Sequence, residues 1–227
     1  MTPILLAIGL VIAQINDINI CYFNSCHRVF KLTMSMRKYF SMSTAGEQRL
    51  LARTAESLKP GSRMVEVGSW LMGTARILAE ANPGAHLLCV DPFSGPVVER
   101  ASLEFLKDYP EFQGLRTPEL ARAIVQDLDN VTIMAAVSPH NLGDHPQAFD
   151  LYFEDGNHRD PLLKANLDYW LPLLKPNGIL ALHDSNILDV EQHITRLQLE
   201  GYTILDKCDT LTILIKPPSG SEAGAKI

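Results

Sequence analysis

Hydrophobic and polar residues follow two different periods between residues 44 and 216. Short apolar runs are typical of buried strands, and stretches with apolar residues three or four positions apart are typical of amphipathic helices. Segments rich in Pro, Gly and Asn mark the boundaries between these blocks. The pattern predicts, in chain order, a helix beginning at Ser43 or Thr44, a strand at 64–67, a helix at 75–81, a strand at 86–91, helices at 97–109 and 118–129, strands at 131–135 and 149–155, a helix at 161–174, a strand at 179–184, a helix at 188–200, and strands at 202–205 and 211–215.

This regular alternation of strands and helices is typical of a mostly parallel sheet with helices on both faces. We therefore predict an α/β, Rossmann-like fold with a seven-stranded sheet. The last two strands form a closing antiparallel pair, because only the short segment 206–210 joins them. Ligands of such sheets bind beyond the carboxyl ends of the strands, where the pattern places Gly68, Asp91, Asp155 and Asp184.

The 227 residues suffice for one well-buried domain, which we expect at 43–217. Residues 1–42 are predicted to be an extension of doubtful order, and 218–227 a disordered tail because they are small and polar. The apolar stretch 3–13 is shorter than the ~20 residues that cross a bilayer, and no Lys or Arg precedes it. We favour an extension upstream of another start, at Met34, Met36 or Met42, over a signal peptide.

Charge and cysteine content narrow the class of protein. The formal net charge is −6 and no basic run is present, so neither nucleic acid nor a membrane is expected as a partner. The 4 cysteines lack the spacing of a metal site, and Cys89 lies in an apolar run. A reducing cytoplasm fits this usage.

The turn after the first strand carries the first chemical signal. Gly68 and Gly73 flank a strand-to-helix turn, whose amide groups can face a ligand. Alone, this pattern is equally an ordinary tight turn. Asp91 ends the next strand, 23 residues after Gly68, where a carboxylate can accept the hydroxyls of a ribose. An adenosine-containing cofactor follows, and Trp70 replaces the second glycine of the dinucleotide fingerprint, which disfavours NAD(P).

Several longer segments support a more specific interpretation. They are 65–70, 88–93, 149–158, 171–178 and the pair His183-Asp184. Together they resemble the class I S-adenosylmethionine-dependent methyltransferases, in particular small-molecule and sugar O-methyltransferases of the macrocin O-methyltransferase and cephalosporin-biosynthesis type.

The resemblance implies S-adenosylmethionine as cofactor. It implies that the methionine end lies beside Glu66, Gly68 and Ser69, and that Asp91 holds the ribose. The full set of expected cofactor-binding residues is Glu66, Gly68, Ser69, Trp70, Gly73, Asp91, Pro92, Ser138 and Asp155. The sequence departs from the family pattern at Met72, where a glycine is usual, and at Val137, where an acidic residue usually precedes the serine.

A second group of residues lies at the ends of the fourth and fifth strands. Asp155, His183 and Asp184 are candidate ligands of a divalent cation, magnesium or manganese, although the resembling metal-binding proteins have an acid at the position of His183. Asp155 and His158 are candidates for the general base. Simpler alternatives are an interior histidine at 183 and a helix cap at 155. Four other histidines are predicted to lie on the surface: His86, His140, His145 and His193.

The favoured function is methyl transfer from S-adenosylmethionine to a hydroxyl group of a small molecule. In-line displacement needs alignment and a modest base, and no covalent nucleophile. The alternatives are a catalytically degenerate binding domain and, with less support, an NAD(P)-dependent oxidoreductase. Residues 93–117 and the N-terminal segment would select the acceptor. Tyr109 and Phe112 are candidates for lining its cavity, although aromatic residues at such positions are more often ordinary packing. The sequence leaves open the acceptor, the metal requirement and whether the protein forms a homodimer.

Overall fold

The structure, a computed structural model, describes residues 41–105, 107, 114, 116–142 and 148–219. Tyr109, Phe112 and His145 therefore lie outside the described residues. So do the predicted N-terminal extension up to residue 40 and the predicted C-terminal tail from residue 220. No helix in the described part of the chain has the length and apolar character that crossing a bilayer requires.

Strands and helices alternate along the chain as the pattern predicts. The elements are α1 (Ala45–Glu56), β1 (Arg63–Val67), α2 (Gly73–Ala81), β2 (His86–Asp91), α3 (Pro96–Phe105), α4 (Thr117–Val125), β3 (Val131–Ala135), β4 (Phe149–Glu154), α5 (Leu162–Trp170), a 3-10 turn (Leu171–Leu173), β5 (Leu174–Leu182), α6 (Leu188–Leu199), β6 (Thr203–Cys208) and β7 (Leu211–Ile215).

The strands form one seven-stranded sheet in the order β3-β2-β1-β4-β5-β7-β6. Strands β1 to β5 are parallel to one another, whereas β7 is antiparallel to both β5 and β6. The predicted fold class, including the closing antiparallel pair, is confirmed. Because β1 lies between β2 and β4, the chain leaves β1 in one direction and returns on its other side. Such a point is where ligands bind in open α/β sheets.

Several predicted boundaries in the second half of the chain are wrong. Helix α4 ends at Val125 and not at 129, and β6 extends to Cys208 and not to 205. The helix predicted to reach residue 174 ends at Trp170, and β5 begins at Leu174 although 175–178 contain a proline and a glycine. The strand persists because Asn177 donates its backbone N–H to Lys216 and Gly178 accepts from the same residue. An irregularity in the pairing of β4 with β5 absorbs the extra residues.

The sheet separates two apolar layers. Alternate residues of each strand face opposite layers, so that Leu151 and Phe153 pack with α1, α2 and α4, while Tyr152 packs with Trp170 of α5. Trp170 is fully buried. Burial of side chains of this size stabilises the fold by about 1.5–3 kcal/mol each.

Gly68 lies where the loop after β1 packs directly against the loop after β4. Its φ is +91°, and a Cβ built on it would lie 2.2 Å from the carbonyl oxygen of Asp155 and 2.5 Å from Cα of Gly156. The backbones are held together by hydrogen bonds from Gly68 N–H to Val90 and from Asp155 N–H to Val67. The sequence-based reason for this glycine was approach to a ligand. The structure adds a stronger one, since the loop after β4 leaves no room for a side chain.

We expect Gly68→Ala to destabilise the protein more than Gly61→Ala. Gly61 has a similar φ of +82°, but nothing lies within 4 Å of a Cβ built there. Gly61→Ala should therefore cost only the backbone strain, about 1–2 kcal/mol. Gly68→Ala should cost a further ~1–3 kcal/mol because backbone atoms must move. Chemical denaturation of both variants measures the difference, and equal stabilities would show that the close approach is not a constraint.

Candidate active site

The predicted site residues all lie at the carboxyl edge of the sheet. Glu66 lies near the end of β1 and Gly68 directly follows this strand. Asp91 ends β2, Asp155 follows β4, and His183 follows β5. Since these strands are parallel neighbours, their ends converge as the strand pattern predicted. The edge has one side around β1 and β2 and a second side around β4 and β5.

Asp91 binds the backbone of two loops on the β1–β2 side. The carboxylate is buried, and its oxygens accept hydrogen bonds from the backbone N–H groups of Trp70, at 3.0 Å, and Phe93, at 2.6 Å. Burial raises the pKa of Asp91, these two backbone donors oppose the rise, and the charge of Asp155 adds to it. Each oxygen keeps capacity for one more donor, which is what binding of two ribose hydroxyls requires.

Glu66 and Ser69 bring buried polar atoms to the β1–β2 side of this edge. Glu66 is fully buried and accepts from the Thr74 hydroxyl through Oε1. Its Oε2 and the Ser69 hydroxyl oxygen are buried and form no hydrogen bond of good geometry, although Ser69 and Cys89 lie close enough to lower the pKa of the Glu66 carboxyl group. Burial raises the pKa of Glu66 to about 7. Buried polar groups are normally hydrogen-bonded, so these two atoms fit a polar ligand such as the amino-acid end of the expected cofactor.

The rest of the β1–α2 loop is unusual in its backbone. Trp70 and Met72 both have positive φ, 41° and 63°, and Met72 precedes Gly73 at the start of α2. Met72 therefore adopts the left-handed conformation that a glycine adopts more easily. The Trp70 indole donates to the Ser102 hydroxyl of α3 at 3.1 Å, so its ring packs towards that helix. Pro92, next to Asp91, is half-buried.

Ser138, the candidate for adenine recognition, is engaged with the core. Its hydroxyl accepts a 2.8 Å hydrogen bond from the indole of Trp170. Its predecessor Val137 is 48% exposed at the end of β3. The structure thus offers an apolar surface at this position, while the Ser138 hydroxyl can still donate one hydrogen bond.

Four residues form a compact cluster at the ends of β4 and β5, as the sequence predicted for Asp155, His158, His183 and Asp184. Oδ1 of Asp155 lies 2.9 Å from Nδ1 of His183 and 3.5 Å from Nε2 of His158. Oδ2 of Asp184 lies 3.3 Å from Nδ1 of His158. Asp184 itself has a φ of 51°. Asp155, His158 and His183 each offer one ligand atom within 4.8 Å of the others.

The carboxylates around the two imidazoles raise their pKa. Burial alone would lower the pKa of His183, but the contact with Asp155 and the charges of Asp155, Asp184 and Glu47 raise it to about 9. The pKa of His158 is raised for the same reason, with burial again opposing the carboxylates. The cluster is therefore a site of strong negative potential that stabilises positive charge.

Sequence reasoning missed two buried acids beside this cluster. Glu47 of α1 accepts from the backbone and hydroxyl of Thr210, and its Oε2 lies 3.4 Å from Nε2 of His183. Glu154 accepts from the Tyr152 hydroxyl, Asn166 and the N–H of Gly156. Burial raises the pKa of Glu154 to about 7. Thr44-x-x-Glu47 is a capping-box pattern, a sequence signal from which the structural part of the role of Glu47 could have been predicted but not its contact with His183.

One histidine predicted to be on the surface is buried. His193 is 7% exposed because α6 packs its ring against the loop before α5, where Nε2 lies 2.9 Å from Asp160. A cavity of about 310 Å³ lined by Asn177, Glu200, Lys216 and Pro217 lies at the opposite edge of the sheet. It is remote from the cluster, and we assign it no chemistry.

Comparison with known proteins identifies the class of this chain. A family described as a methyltransferase domain matches residues 65–185, more than half of the chain. The chain belongs to this family. The match spans β1 to the residues after β5 and so contains both sides of the site. It confirms the class predicted from the motifs, a class I S-adenosylmethionine-dependent methyltransferase. A search of curated proteins found no match.

Solved structures share the fold at low identity. The O-methyltransferase TomG from Streptomyces achromogenes, solved with SAM, is 17% identical, with a TM-score of 0.54 over 82% of this chain and 91% of TomG. Precorrin-6y C5,15-methyltransferase from Geobacter metallireducens is 17% identical, with a TM-score of 0.51 over 78% of this chain and 92% of that protein. The N-methyltransferase NodS from Bradyrhizobium japonicum is 17% identical, with a TM-score of 0.51 over 75% of this chain and 94% of NodS. These likenesses show the fold.

We expect Glu66→Gln to gain stability relative to the wild type as the pH rises from about 4.5 to about 7. A carboxyl group whose pKa is raised by folding stabilises the protein fully below its unfolded value, and this contribution is lost as the pH rises through the folded value of about 7. The neutral amide loses nothing in this window. The difference in free energy of unfolding between Glu66→Gln and the wild type should change by at most about 3 kcal/mol across this window.

Urea denaturation of the ligand-free protein at several pH values across this window measures the difference. Glu56→Gln, at an exposed glutamate of α1, is the control for loss of a surface carboxylate. If the difference between Glu66→Gln and wild type stays constant with pH, the buried carboxyl group is not protonated as described.

Proposed function

We propose that this protein transfers a methyl group from S-adenosylmethionine to a hydroxyl oxygen of a small molecule. The observation that carries the proposal is the pairing of two sites at one sheet edge. The β1–β2 side has the buried polar atoms of Glu66 and Ser69 and the Asp91 carboxylate, which can accept hydrogen bonds from ribose hydroxyls. The β4–β5 side has a cluster of carboxylates and imidazoles. Gly68 packs directly against the Asp155 backbone, so the two sides adjoin.

The residues on the β1–β2 side fit the cofactor. Asp91 would accept the ribose hydroxyls, while Glu66 and Ser69 would bind the amino-acid end through their buried oxygens. The exposed Val137 would pack against the adenine ring, and Ser138 would donate to it. Negative potential from Glu66, Asp91 and Asp155 favours a cationic sulfonium over a neutral or anionic ligand. A pyrophosphate would meet the same charges unfavourably, which disfavours a nicotinamide dinucleotide.

The cluster on the β4–β5 side supports a hydroxyl acceptor. When bound, S-adenosylmethionine supplies a methyl group that the acceptor oxygen takes as the carbon–sulfur bond breaks, and the hydroxyl proton must leave. Asp155 and His158 stand where a group can hold or receive that proton. Alignment of the two reactants supplies much of the acceleration in such a displacement. The O-methyltransferase TomG is among the proteins that share the fold, as are N- and C-methylating enzymes.

The experiment that tests this function has two parts. Calorimetric titration with S-adenosylhomocysteine and, separately, with NADH establishes the cofactor. Incubation with labelled S-adenosylmethionine and a panel of catechols, sugars and other polyhydroxylated compounds, followed by mass spectrometry, tests transfer. Binding of NADH alone would overturn the proposal in favour of an oxidoreductase. Binding of S-adenosylhomocysteine without transfer to any acceptor would favour a binding domain.

We expect Asp91→Ala to weaken binding of S-adenosylhomocysteine at least tenfold, about 1.4 kcal/mol, because the ribose acceptor is lost. Asp129→Ala is the matched control, since Asp129 is an exposed carboxylate at the opposite end of the sheet, before β3. Melting curves of the ligand-free variants separate weaker binding from loss of the fold. Affinity of a folded Asp91→Ala variant within twofold of wild type would remove Asp91 from the cofactor site.

A further inference from the structure

The short loop after β4, residues 155–161, carries His158 into the site and is fixed at its beginning. The Asp155 N–H donates to a carbonyl group of β1 at 2.8 Å. The Gly156 N–H donates to the buried Glu154 carboxylate at 3.1 Å. The first two residues of the loop are therefore held by the central strands, whereas His158 lies beyond this support.

The far end of the same loop is bound to helix α6. Nε2 of His193 lies 2.9 Å and 3.1 Å from the two carboxylate oxygens of Asp160. The Asp160 N–H donates to the Asp189 carboxylate at 3.1 Å. Because a carboxylate at neutral pH only accepts hydrogen bonds, the proton of the first contact lies on Nε2 of His193. Both the side chain and the backbone of Asp160 are thus attached to one helix, two residues after His158.

The burial of His193 shows that this attachment is specific. Only 7% of the residue is exposed, and its neighbours on the same helix face are the apolar core residues Val190, Ile194 and Leu197. A polar ring buried on an apolar face costs free energy unless it is hydrogen-bonded. Asp160 provides this bond and so fixes the ring, and the ring in turn fixes the loop.

Helix α6 is also bound to the other loop of the site. Ile187, directly before the helix, donates its backbone N–H to Asp184 at 2.8 Å. Oδ2 of Asp184 lies 3.3 Å from Nδ1 of His158. The start of α6 therefore connects both partners of this contact, Asp184 through Ile187 and His158 through Asp160. A shift of the loop relative to α6 would change the distance between the two side chains.

We propose that two residues of α6 are positioning residues for His158. His193 and Asp189 act through Asp160 to hold the His158 imidazole within the cluster of carboxylates and imidazoles. The His158 side chain is 21% exposed, so a ligand can reach the ring while the loop holds it. The placement of the ring stands on this geometry alone. Only its use as the base that receives the acceptor's proton rests on the proposed function.

The test follows the His158 ring through the ¹H–¹³C NMR signal of its Cε1 position, in the ligand-free full-length protein at one pH. Loss of a signal in His158→Asn assigns it among the 7 histidines. In His193→Leu an apolar group of similar size replaces the donor to Asp160. We expect the His158 signal to shift and broaden, because the ring is no longer held in one position. His193→Gln can donate to the same carboxylate and should restore the wild-type signal.

Asp189 is tested through the backbone bond that it accepts. Asp189→Ala removes the acceptor of the Asp160 N–H, and we expect it to shift the His158 signal as well. Asp189→Asn keeps an oxygen acceptor at this position and should return the signal to its wild-type place. An Asp189→Ala signal identical to wild type would remove Asp189 from the proposal.

A control in the same helix separates positioning from stability. Ile194→Val leaves the His193–Asp160 pair in place but removes part of a buried side chain, so it should lower the melting temperature and leave the His158 signal unchanged. If His193→Leu lowers the melting temperature without moving the signal, His193 has only a structural role and the proposal is overturned. The same follows if Ile194→Val moves the signal as far as His193→Leu does.

Two functional measurements distinguish this proposal from the proposed function. Affinity of His193→Leu for S-adenosylhomocysteine should stay within about twofold of wild type, because the cofactor-binding residues lie at β1 and β2. With an acceptor found among the hydroxylated compounds, kcat should fall at least about tenfold while KM stays within about twofold, since a well-placed base contributes roughly 10²–10⁴-fold.

The two proposals fail in different ways. The expected NMR shifts in a protein whose wild type methylates no compound would overturn the proposed function and support the positioning of His158. Methyl transfer by His193→Leu at the wild-type kcat, with an unshifted His158 signal, would overturn the positioning and support the function. Wild-type kcat with a displaced signal would show that His158 is not the base.

Discussion

The contact between Gly68 and the backbone of Asp155 and Gly156 is the constraint on which the site depends. It brings the loop after β1 against the loop after β4 with no side chain between them. Strand β1 pairs with β2 on one side of this contact, and β4 pairs with β5 on the other. A displacement of either loop would therefore separate a bound methyl donor from its acceptor, and small displacements of this kind have large effects on rate.

Charge is the second feature that unites the two sides. Asp155 belongs to the cluster, yet its charge raises the pKa of both Glu66 and Asp91 across the edge. Acids held this close in a partly buried site repel one another, and positively charged ligands relieve the repulsion. A sulfonium cofactor on one side and a metal ion or protonated histidine on the other would both do so. The acidity of this edge is thus a property of the whole site.

The N-terminal helix has a role beyond covering the sheet. Its capping box places Glu47 in the interior, where the β6–β7 turn holds the carboxylate through Thr210. Three distant parts of the chain therefore meet at His183, namely α1, the loop after β4 and the end of the closing antiparallel pair. This arrangement explains why the closing strands and the first helix matter for the site although neither contributes a cofactor-binding residue.

The sequence by itself determined the order of the elements, the fold class and the sheet edge at which the chemistry lies. It could do so because strand and helix periods are local, and parallel strands bring their carboxyl ends together. It also identified Asp155, His158, His183 and Asp184 as neighbours.

Only the tertiary structure decided how these side chains face one another. The strand through Pro176, the burial of His193 and the contact of Glu47 with His183 arise from packing between segments far apart in the chain. The same holds for the direction of each imidazole nitrogen. No local pattern encodes such contacts, because their energies depend on which distant groups exclude water from the same space.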